Sequence, residues 1–356
     1  MKKYNFYSGP AILPQEVFEQ ASKAVLELDN IGMSLIEISH RCKEFVSVLE
    51  EAKQHVKDLL HLEDDQQVLF LQGGASMQFC MIPFNLLNET DTAAYLETGV
   101  WAKKAIKEAK LFGNVQVVAS SADKNFNFIP KDYVVPGTAK YFHFTTNNTI
   151  YGSQLQVMPE VGVPMIADMS SDIFSRPVEG KKFDMIYAGA QKNMGTAGVT
   201  LVVVRDSILG KVKRPIPTIL DYRTHIKEAS LLNTPCTFAI YVSMLTLRWI
   251  KKMGGLEVLQ NLNEEKAMKL YNEIDSNPLF TGVIAKEDRS RMNVTFTINK
   301  PELEDAFSNA AKEAGCIGIK GHRLVGGFRA SIYNAMPMEG IDVLVGVMRQ
   351  FALKNG

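Results

Sequence analysis

Short apolar runs alternate with longer, helix-like stretches between about residue 66 and residue 205. Two of these runs, residues 163–168 and 183–189, are flanked by turn-forming residues. Runs of this kind are typical of strands in a sheet that helices cover on both faces. The pattern therefore predicts an α/β fold with a mainly parallel sheet.

The pattern changes near the paired glycines at positions 254 and 255, where one helix is expected to stop. The next helix carries its apolar residues largely on one face: Leu256, Leu259, Leu262, Leu270 and Ile274. Residues 292–298 alternate apolar and polar side chains, which predicts a strand with one solvated face. A helix over residues 301–314 and a last helix from about residue 340 to residue 354 complete a small α+β domain.

These changes divide the chain into three parts. Residues 1–15 contain Gly9, Pro10 and Pro14, and we expect them to form an irregular arm over the large domain. Residues 16–255 form the large domain and residues 256–356 the small one. Two domains are the usual expectation for 356 residues.

Composition limits the class of protein without identifying it. The 39 basic and 39 acidic residues cancel, so no overall field attracts nucleic acid or an acidic membrane. No apolar run approaches the length of a membrane span. The four cysteines lie far apart and suggest neither a metal site nor a disulfide framework. Scattered buried thiols fit a reducing compartment, so we expect a soluble, cytoplasmic protein.

Two residues with complementary chemistry follow the apolar runs. Asp168 ends the first run, and Lys192 lies just after the second, in the segment 190–193. Parallel strands end at one edge of a sheet, so both side chains can reach the same ligand. Pyridoxal phosphate needs such a pair, because a carboxylate keeps its ring nitrogen protonated and a lysine amine binds its aldehyde. By itself, the pair is explained better by a turn-capping acid and a surface lysine.

Two further features favour this cofactor. Residues 68–78 predict a strand, a glycine turn and a helix that opens at Ser76, and a helix N-terminus behind glycines can bind a phosphate. Trp101 begins another apparent helix, where its indole could stack on a flat ring, although such a tryptophan is more often part of a core. Each of the four signals is weak. Their occurrence in one chain, in the order phosphate loop, stacking ring, acid and lysine, is more specific than any one of them.

Other classes of protein fit the sequence less well. The chain has neither a P-loop motif nor the G-x-G-x-x-G of a dinucleotide-binding enzyme. A catalytically dead scaffold would lack Lys192 or Asp168, and both are present. A cysteine desulfurase or lyase on the same fold stays open, with Cys316 as the candidate nucleophile. No basic residue beside Cys316 in the sequence lowers the pKa of its thiol, however, so a small packed thiol is favoured.

Several motifs together point to one family. They are residues 7–14, 39–41, 72–76, 148–152, 167–171, 190–193 and the long run 321–336. Over essentially its whole length, the chain closely resembles the phosphoserine aminotransferases, which are class-V, fold-type I pyridoxal-phosphate enzymes. The resemblance implies an α/β large domain with a mainly parallel, seven-stranded sheet, a small C-terminal α+β domain, and a homodimer with shared active sites.

The resemblance implies reversible amino transfer between L-glutamate and 3-phosphohydroxypyruvate. The products are 2-oxoglutarate and O-phospho-L-serine, in serine biosynthesis. Some members also aminate a phosphorylated four-carbon keto acid of pyridoxine synthesis, and the residues leave this second activity open. Another small-substrate aminotransferase on this fold is the alternative.

The resemblance also assigns roles to residues. Lys192 would attach the cofactor covalently, Asn233 and Thr234 would come from the partner subunit, and the implied cofactor-binding set is Ala75, Ser76, Trp101, Thr149, Asp168, Gln191, Lys192, Asn233 and Thr234. Some members carry an arginine in the phosphate loop where this chain has small residues. The backbone and Ser76 must therefore contribute more of the phosphate binding here.

The substrate-binding residues that the resemblance implies are mostly cationic. Arg329 would bind the α-carboxylate that all substrates share, since its planar fork makes two charge-assisted hydrogen bonds. His40 and Arg41 from the partner subunit, with His322 and Arg323, would face the second anion at the far end of the substrate. Taken singly, each His-Arg pair is more often a solvated surface pair.

Overall fold

The computed structural model describes residues 2–355. In this range the strands are β1 (Tyr4–Asn5), β2 (Gln66–Leu71), β3 (Thr92–Glu97), β4 (Asn114–Ser120), β5 (Phe142–Thr145), β6 (Met165–Asp168), β7 (Met185–Gly189), β8 (Thr200–Arg205), β9 (Phe280–Gly282), β10 (Asn293–Ile298), β11 (Cys316–Ile317) and β12 (Phe328–Ser331). The α-helices are α1 (Gln15–Leu26), α2 (Lys43–Leu60), α3 (Gly74–Leu86), α4 (Val100–Ala109), α5 (Tyr222–Lys227), α6 (Thr237–Lys252), α7 (Leu256–Ser276), α8 (Glu304–Glu313) and α9 (Met338–Asn355).

Seven of the described strands form the central sheet, in the order β2-β8-β7-β6-β5-β3-β4. Neighbouring strands are parallel, except that β8 runs antiparallel to both β2 and β7. The predicted, mainly parallel sheet is therefore confirmed. Since every strand except β8 points the same way, the segments that follow six of the strands meet at one edge of the sheet.

Helices cover both faces of this sheet, which explains why its strands read as continuous apolar runs. Ile186 of β7 packs in a core with Leu49 of α2 and Ile240 of α6. Its neighbour Met185 packs in a separate core with Phe79 of α3. Because successive side chains of a strand point to opposite faces, each face of the sheet has a core of its own.

A smaller core surrounds the C-terminal part of the chain. Strands β9, β10 and β12 form an antiparallel sheet in the order β12-β10-β9, and Phe307 of α8 packs against it. Gly255, with a φ of 86°, lies at the turn between α6 and α7. Leu256 and Leu259 still pack in the large core, so the domain boundary at residue 255 stays a prediction.

Two expectations about this part of the molecule are wrong. The face of β10 that was expected to be solvated is buried: Thr295 is 5% exposed, and its hydroxyl donates to the Tyr151 carbonyl oxygen at 2.6 Å. The large domain covers that face, so its polar residues bind protein groups instead of water. The N-terminal arm also begins as a strand, because β1 pairs with β11 and Phe6 packs in the smaller core.

Three local details also differ from expectation. Helix α3 begins at Gly74 rather than Ser76, directly after the positive φ of Gly73. Leu262 is 37% exposed rather than part of an apolar face. Of the four cysteines, Cys316 is buried, whereas Cys236 is exposed. No helix within residues 2–355 combines the length and the apolar character that crossing a membrane requires.

Candidate active site

A cavity of about 320 Å³ lies where the parallel strands end. Its walls come mainly from the segments that follow β2, β3, β5, β6 and β7, and from the N-terminal arm and the C-terminal domain. Of the predicted site residues, those that line it are Ala75, Ser76, Trp101, Thr149, Asp168, Gln191, Lys192, His322 and Arg329.

Lys192 lies in the turn after β7. Its ammonium donates a hydrogen bond to Thr149 Oγ1 at 2.8 Å. Burial lowers the pKa of this lysine to about 8; the negative charge of Asp168 opposes that change, and the positive charge of Arg329 adds to it. A lysine with a lowered pKa is a stronger candidate for nucleophilic and proton-transfer chemistry than a surface lysine, because more of it is unprotonated near neutral pH.

Asp168 is the last residue of β6 and is 4% exposed. Its Oδ1 accepts a hydrogen bond from the Ser170 backbone N–H at 2.9 Å. Burial raises the pKa of this carboxyl, while Ser170 and Lys192 oppose the increase. A buried carboxylate held by one N–H in this way retains acceptor capacity for a cationic ring nitrogen.

The glycine turn before α3 has the backbone that a phosphate site requires. Gly73 and Gly74 have φ values of 91° and 66°, which residues with a side chain rarely adopt. A Cβ on Gly73 would lie 2.6 Å from Met77 Cβ, whereas nothing lies within 4 Å of the Cβ position on Gly74. The first N–H groups of a helix have no partner within it, so α3 offers free donors at Ala75 and Ser76.

Trp101 is the second residue of α4 and lines the cavity. The Lys104 ammonium lies 4.5 Å from the centre of its ring, in cation–π contact. This contact and the helix hold the indole at the cavity wall, where it could stack on a flat ligand.

Arg329 on β12 brings a cation into the same cavity, although it comes from the small C-terminal sheet. Its Nη2 donates to Ser8 Oγ at 2.9 Å, and its Nη1 donates to the Thr149 carbonyl oxygen at 3.4 Å. His322 also lines the cavity, and burial and the charge of Arg329 lower its pKa. The cavity therefore has a cationic wall that suits an acidic ligand.

The remaining polar groups test whether pyridoxal phosphate fits. Within residues 2–355, Thr145 Oγ1, Trp101 Nε1 and Arg329 Nε are buried atoms of the cavity wall without a hydrogen-bond partner. Buried polar atoms usually have partners, so these three indicate a polar ligand. Together with Lys192 and Asp168, this set fits an aldehyde, a ring nitrogen and a phosphate. The described residues place no three His, Cys, Asp or Glu side chains together as a metal site.

Comparison with known proteins gives the family. The family model for class-V aminotransferases matches residues 3–344. Phosphoserine aminotransferase of Flavobacterium johnsoniae is 57% identical over 355 residues, which cover 99% of this chain and 100% of that protein. The chain belongs to the phosphoserine aminotransferases. This membership confirms the resemblance and the fold class predicted from the motifs.

Solved structures of this family agree with the fold. The phosphoserine aminotransferase from Bacillus circulans subsp. alkalophilus has a TM-score of 0.97 at 45% identity, covering 100% of this chain and 99% of that chain. The pyridoxal-phosphate-bound phosphoserine aminotransferase from Trichomonas vaginalis has a TM-score of 0.93 at 41% identity, covering 98% and 100%.

Some of the residues predicted from the family lie outside this cavity: His40, Arg41, Arg323, Asn233 and Thr234. Arg41 is exposed, and its Nη2 donates to the Leu231 carbonyl oxygen at 3.1 Å. The carbonyl oxygen of Thr234 accepts from Gln72 Nε2 at 2.7 Å. The segments around residues 41 and 234 are therefore neighbours and lie beside the phosphate loop.

The predicted set of site residues omitted several residues of the cavity wall: Ser8, Gly9, Thr145, Asn147, Ile150, Ser170 and Ser171. Gly74 also lines the cavity and belongs to the predicted glycine turn. Ser8 lies in the motif 7–14, and Ser170 and Ser171 lie in the motif 167–171, so both motifs contained a usable signal. Thr145 ends β5 as Asp168 ends β6, and the two are register partners. The rule that strand ends form the site would have found it.

Proposed function

We propose that this chain catalyses reversible amino transfer between L-glutamate and 3-phosphohydroxypyruvate, with pyridoxal phosphate as its cofactor. The observation that carries the proposal is one cavity that contains Lys192, Asp168 and Arg329. These side chains suit an aldehyde, a pyridine nitrogen and a substrate carboxylate. Membership of the phosphoserine aminotransferases supports the same substrates.

The cofactor would be held at three places. Bound pyridoxal phosphate supplies an aldehyde for the amino group and a ring that stores the electrons released at the substrate α-carbon. Lys192 would hold the aldehyde carbon and Asp168 the ring nitrogen. The free N–H groups at Ala75 and Ser76 would bind the phosphate, since a helix N-terminus favours an anion.

Three further side chains would orient the cofactor. Trp101 would stack on the ring, because it lines the cavity with its indole held by α4 and Lys104. Thr149 would meet the oxygen on the ring beside Lys192, since its hydroxyl already contacts the lysine amine. Gln191 would support the phosphate end.

Lys192 would also move the proton that the reaction requires. With substrate bound, the Lys192 amine would accept the α-proton, and the cofactor would supply the ring that stores the released electrons. A pKa of about 8 keeps enough neutral amine for this near physiological pH. Thr149 Oγ1 would hold the amine in position. One side chain then serves as attachment, base and acid.

Arg329 would bind the α-carboxylate of each substrate. Arg329 is 8% exposed, and Ser8 and Thr149 accept hydrogen bonds from its guanidinium, so the group is positioned before a ligand arrives. His322 would face the second anion of the substrate, at the end distant from the α-carbon. Arg323, in the same loop, would bind that anion too. A guanidinium binds both carboxylate and phosphate in a bidentate way, which suits substrates that differ in this group.

The active unit that we propose is a homodimer whose subunits share sites. His40, Arg41, Asn233 and Thr234 stand apart from the cavity of their own chain, yet the two segments are neighbours at the surface. A second copy related by a two-fold axis could bring these segments to the other subunit's site. The proposal includes cytoplasmic serine biosynthesis, with the pyridoxine-pathway keto acid as a second candidate substrate.

A desulfurase function has no support from the site. Cys316 is 1% exposed, and burial raises the pKa of its thiol to about 12. A thiol of this kind is almost entirely protonated and cannot act as a nucleophile.

The test is a spectrum and an assay on the purified protein. The protein loaded with pyridoxal phosphate should be yellow, lose that absorbance with glutamate, and regain it with 3-phosphohydroxypyruvate. Borohydride should fix the cofactor on a peptide that contains Lys192, and Lys192→Ala should bind cofactor without that linkage. Bleaching by glutamate without recovery by the keto acid would contradict the substrate assignment.

A further inference from the structure

A series of buried hydrogen bonds joins the wall of the cavity to the N-terminal arm. Asn293 of β10 accepts at Oδ1 from Asn147 Nδ2 at 2.8 Å, and its own Nδ2 donates to the Tyr333 hydroxyl at 3.2 Å. That hydroxyl donates to the Ser8 carbonyl oxygen at 2.8 Å. Asn147, Asn293 and Tyr333 are 2%, 0% and 1% exposed. The proposed reaction gives no role to Asn293 or Tyr333, although polar groups are costly to bury unless they are hydrogen-bonded.

Two serines fix the orientation of the Asn147 side-chain amide. Ser290 Oγ accepts from the backbone N–H groups of Met292 and Asn293, both at 2.9 Å, so its own proton goes to a third group, Asn147 Oδ1. The Ser171 hydroxyl donates to the Asn147 carbonyl oxygen at 2.8 Å, so its oxygen accepts from Asn147 Nδ2 at 2.7 Å. Both contacts require the amide oxygen to face Ser290 and the amide nitrogen to face Ser171.

The orientation of Asn147 determines the direction of each later bond. Because Asn147 presents its nitrogen, Asn293 presents its oxygen to Asn147 and its nitrogen to Tyr333. The Tyr333 oxygen therefore accepts, and its one proton goes to the Ser8 carbonyl oxygen, which can only accept. Ser8 Oγ in turn accepts from Arg329 Nη2 at 2.9 Å. Since the direction of every bond in the series is determined, the series holds Ser8 in one position.

We propose that Tyr333 is a positioning residue for the subsite that binds the substrate α-carboxylate. Asn293 orients the Tyr333 hydroxyl, and that hydroxyl fixes the Ser8 carbonyl oxygen. The Ser8 hydroxyl then holds the Arg329 guanidinium ready for the carboxylate. The other protein acceptor of this guanidinium, the Thr149 carbonyl oxygen, is more distant, at 3.4 Å from Nη1. The inference rests on the proposed function for the role of Arg329 and for the substrates.

The first test measures the arm in the whole protein before substrate is added. The Ala11 N–H donates to the Gln191 carbonyl oxygen at 2.9 Å, so its hydrogen–deuterium exchange reports how often the arm opens. In Tyr333→Phe this exchange should be about 10-fold faster, because the Ser8 carbonyl oxygen loses its donor. Tyr141→Phe removes an equally buried hydroxyl that bonds to another tyrosine, and should leave the exchange unchanged. Unchanged exchange in Tyr333→Phe, or equal acceleration in both variants, would overturn the proposal.

The second test separates the α-carboxylate from the rest of the substrate. O-phosphoethanolamine is O-phosphoserine without the α-carboxylate. Tyr333→Phe should raise KM for O-phosphoserine about 10-fold with little change in kcat, because the carboxylate is bound alike in the ground state and the transition state. The inhibition constant of O-phosphoethanolamine should change less than about 2-fold, since this ligand has no group for Arg329 to bind at that subsite. Equal losses for the two ligands, or a fall in kcat alone, would overturn the proposal.

The third test asks whether Tyr333 acts through Ser8. If it does, adding Tyr333→Phe to Ser8→Ala should lower kcat/KM less than about 2-fold beyond the loss in Ser8→Ala alone. Losses that multiply would show that Tyr333 acts by another route, and would refute the proposal. The expected exchange at Ala11 in a protein without activity on 3-phosphohydroxypyruvate would refute the proposed function alone. Normal activity with no effect of Tyr333→Phe on KM or on exchange would refute this inference alone.

Discussion

Ser8 Oγ accepts a hydrogen bond from Arg329 Nη2 at 2.9 Å, although 321 positions separate the two residues. The N-terminal arm thereby holds the cation that we assign to the α-carboxylate. Tyr333 strengthens this arrangement, because its hydroxyl donates to the Ser8 carbonyl oxygen at 2.8 Å. The arm is thus part of the site wall. It also contacts the turn after β7, where the Ala11 N–H donates to the Gln191 carbonyl oxygen at 2.9 Å.

Ser8→Ala tests this contact. Removing the hydroxyl leaves Nη2 of Arg329 without its protein acceptor, and a hydrogen bond to a charged group contributes about 1.5–3 kcal/mol. We expect kcat/KM to fall about 10-fold or more for every amino acid substrate, with little change in cofactor affinity. Ser22→Ala, which removes an exposed hydroxyl of α1, is the control and should behave like wild type. A loss confined to one substrate would contradict the assignment.

Asp168→Asn should leave the fold intact and slow the reaction strongly. A neutral amide does not favour a protonated ring nitrogen, so the electrons released at the α-carbon are less stabilised. The expected loss is at least about 100-fold in turnover, or roughly 2.7 kcal/mol at the transition state. Single-turnover absorbance changes with glutamate measure it, and circular dichroism checks the fold. Near-normal rates in a folded variant would show that a group other than Asp168 keeps the ring nitrogen protonated.

The site residues at the strand ends could be predicted, because the hydrophobic pattern of the sequence alone shows where the strands end. Asp168 and Lys192 each come after an apolar run, and parallel strands place such residues at one edge. Ser8 could not be placed in this way, since its position depends on β1 pairing with β11 and on the contact with Arg329. Long-range packing of this kind has no local signature in the sequence.

The face of β10 was mispredicted for a related reason. Alternation of polar residues reports which side chains avoid an apolar core, and it does not distinguish water from a polar protein surface. Here Asn293 Oδ1 accepts from Asn147 Nδ2 at 2.8 Å, and Thr295 bonds to Tyr151. The polar residues of β10 therefore join the small sheet to the large domain.

The pKa of Lys192 predicts how the cofactor-free protein captures pyridoxal phosphate. Only the neutral amine attacks an aldehyde, so the rate should rise with pH and reach half its maximum near pH 8, instead of near the ordinary lysine value of 10.5. The same shift affects the stability of the folded protein. Between about pH 8 and pH 10.5 the unfolded state binds more protons at Lys192 than the folded state does, so the free energy of unfolding should increase with pH in this range.

Stopped-flow absorbance from pH 6 to pH 10 measures the midpoint for this capture. Asp168→Asn is the informative variant, because the carboxylate raises the pKa of Lys192, so its loss should move the midpoint lower. A midpoint above pH 10 in wild type would show that the amine is solvated.

Hybrid dimers test whether the subunits share sites. Lys192→Ala and Thr234→Arg should each be inactive alone. Mixed and refolded together, they should recover roughly a quarter of the wild-type activity, because half of the dimers contain one intact site. The control mixture of Lys192→Ala with Asp168→Asn should recover nothing, since both changes lie in the same chain's cavity. Equal recovery in the two mixtures, or an active monomer, would contradict sharing.

Arg41→Ala and Arg329→Ala distinguish the two anion subsites. Arg41 should bind the distal anion, and a phosphate dianion gains more from a guanidinium than a carboxylate does. Removing one partner of a largely desolvated charge pair costs about 2–5 kcal/mol. Arg41→Ala should therefore lower kcat/KM most for O-phosphoserine, less for glutamate and least for alanine, which has no distal anion.

Arg329→Ala should instead impair all three amino acids to a similar degree, because each carries the α-carboxylate that this residue is proposed to bind. Loss of folding or of cofactor would lower the rates for all three amino acids equally, so the graded loss expected for Arg41→Ala cannot come from either. For Arg329→Ala, circular dichroism and cofactor absorbance must show that the variant is folded and loaded. If Arg41→Ala depressed alanine and O-phosphoserine equally, Arg41 would not belong to the distal subsite. The phosphate preference would then have to come from His40, His322 and Arg323.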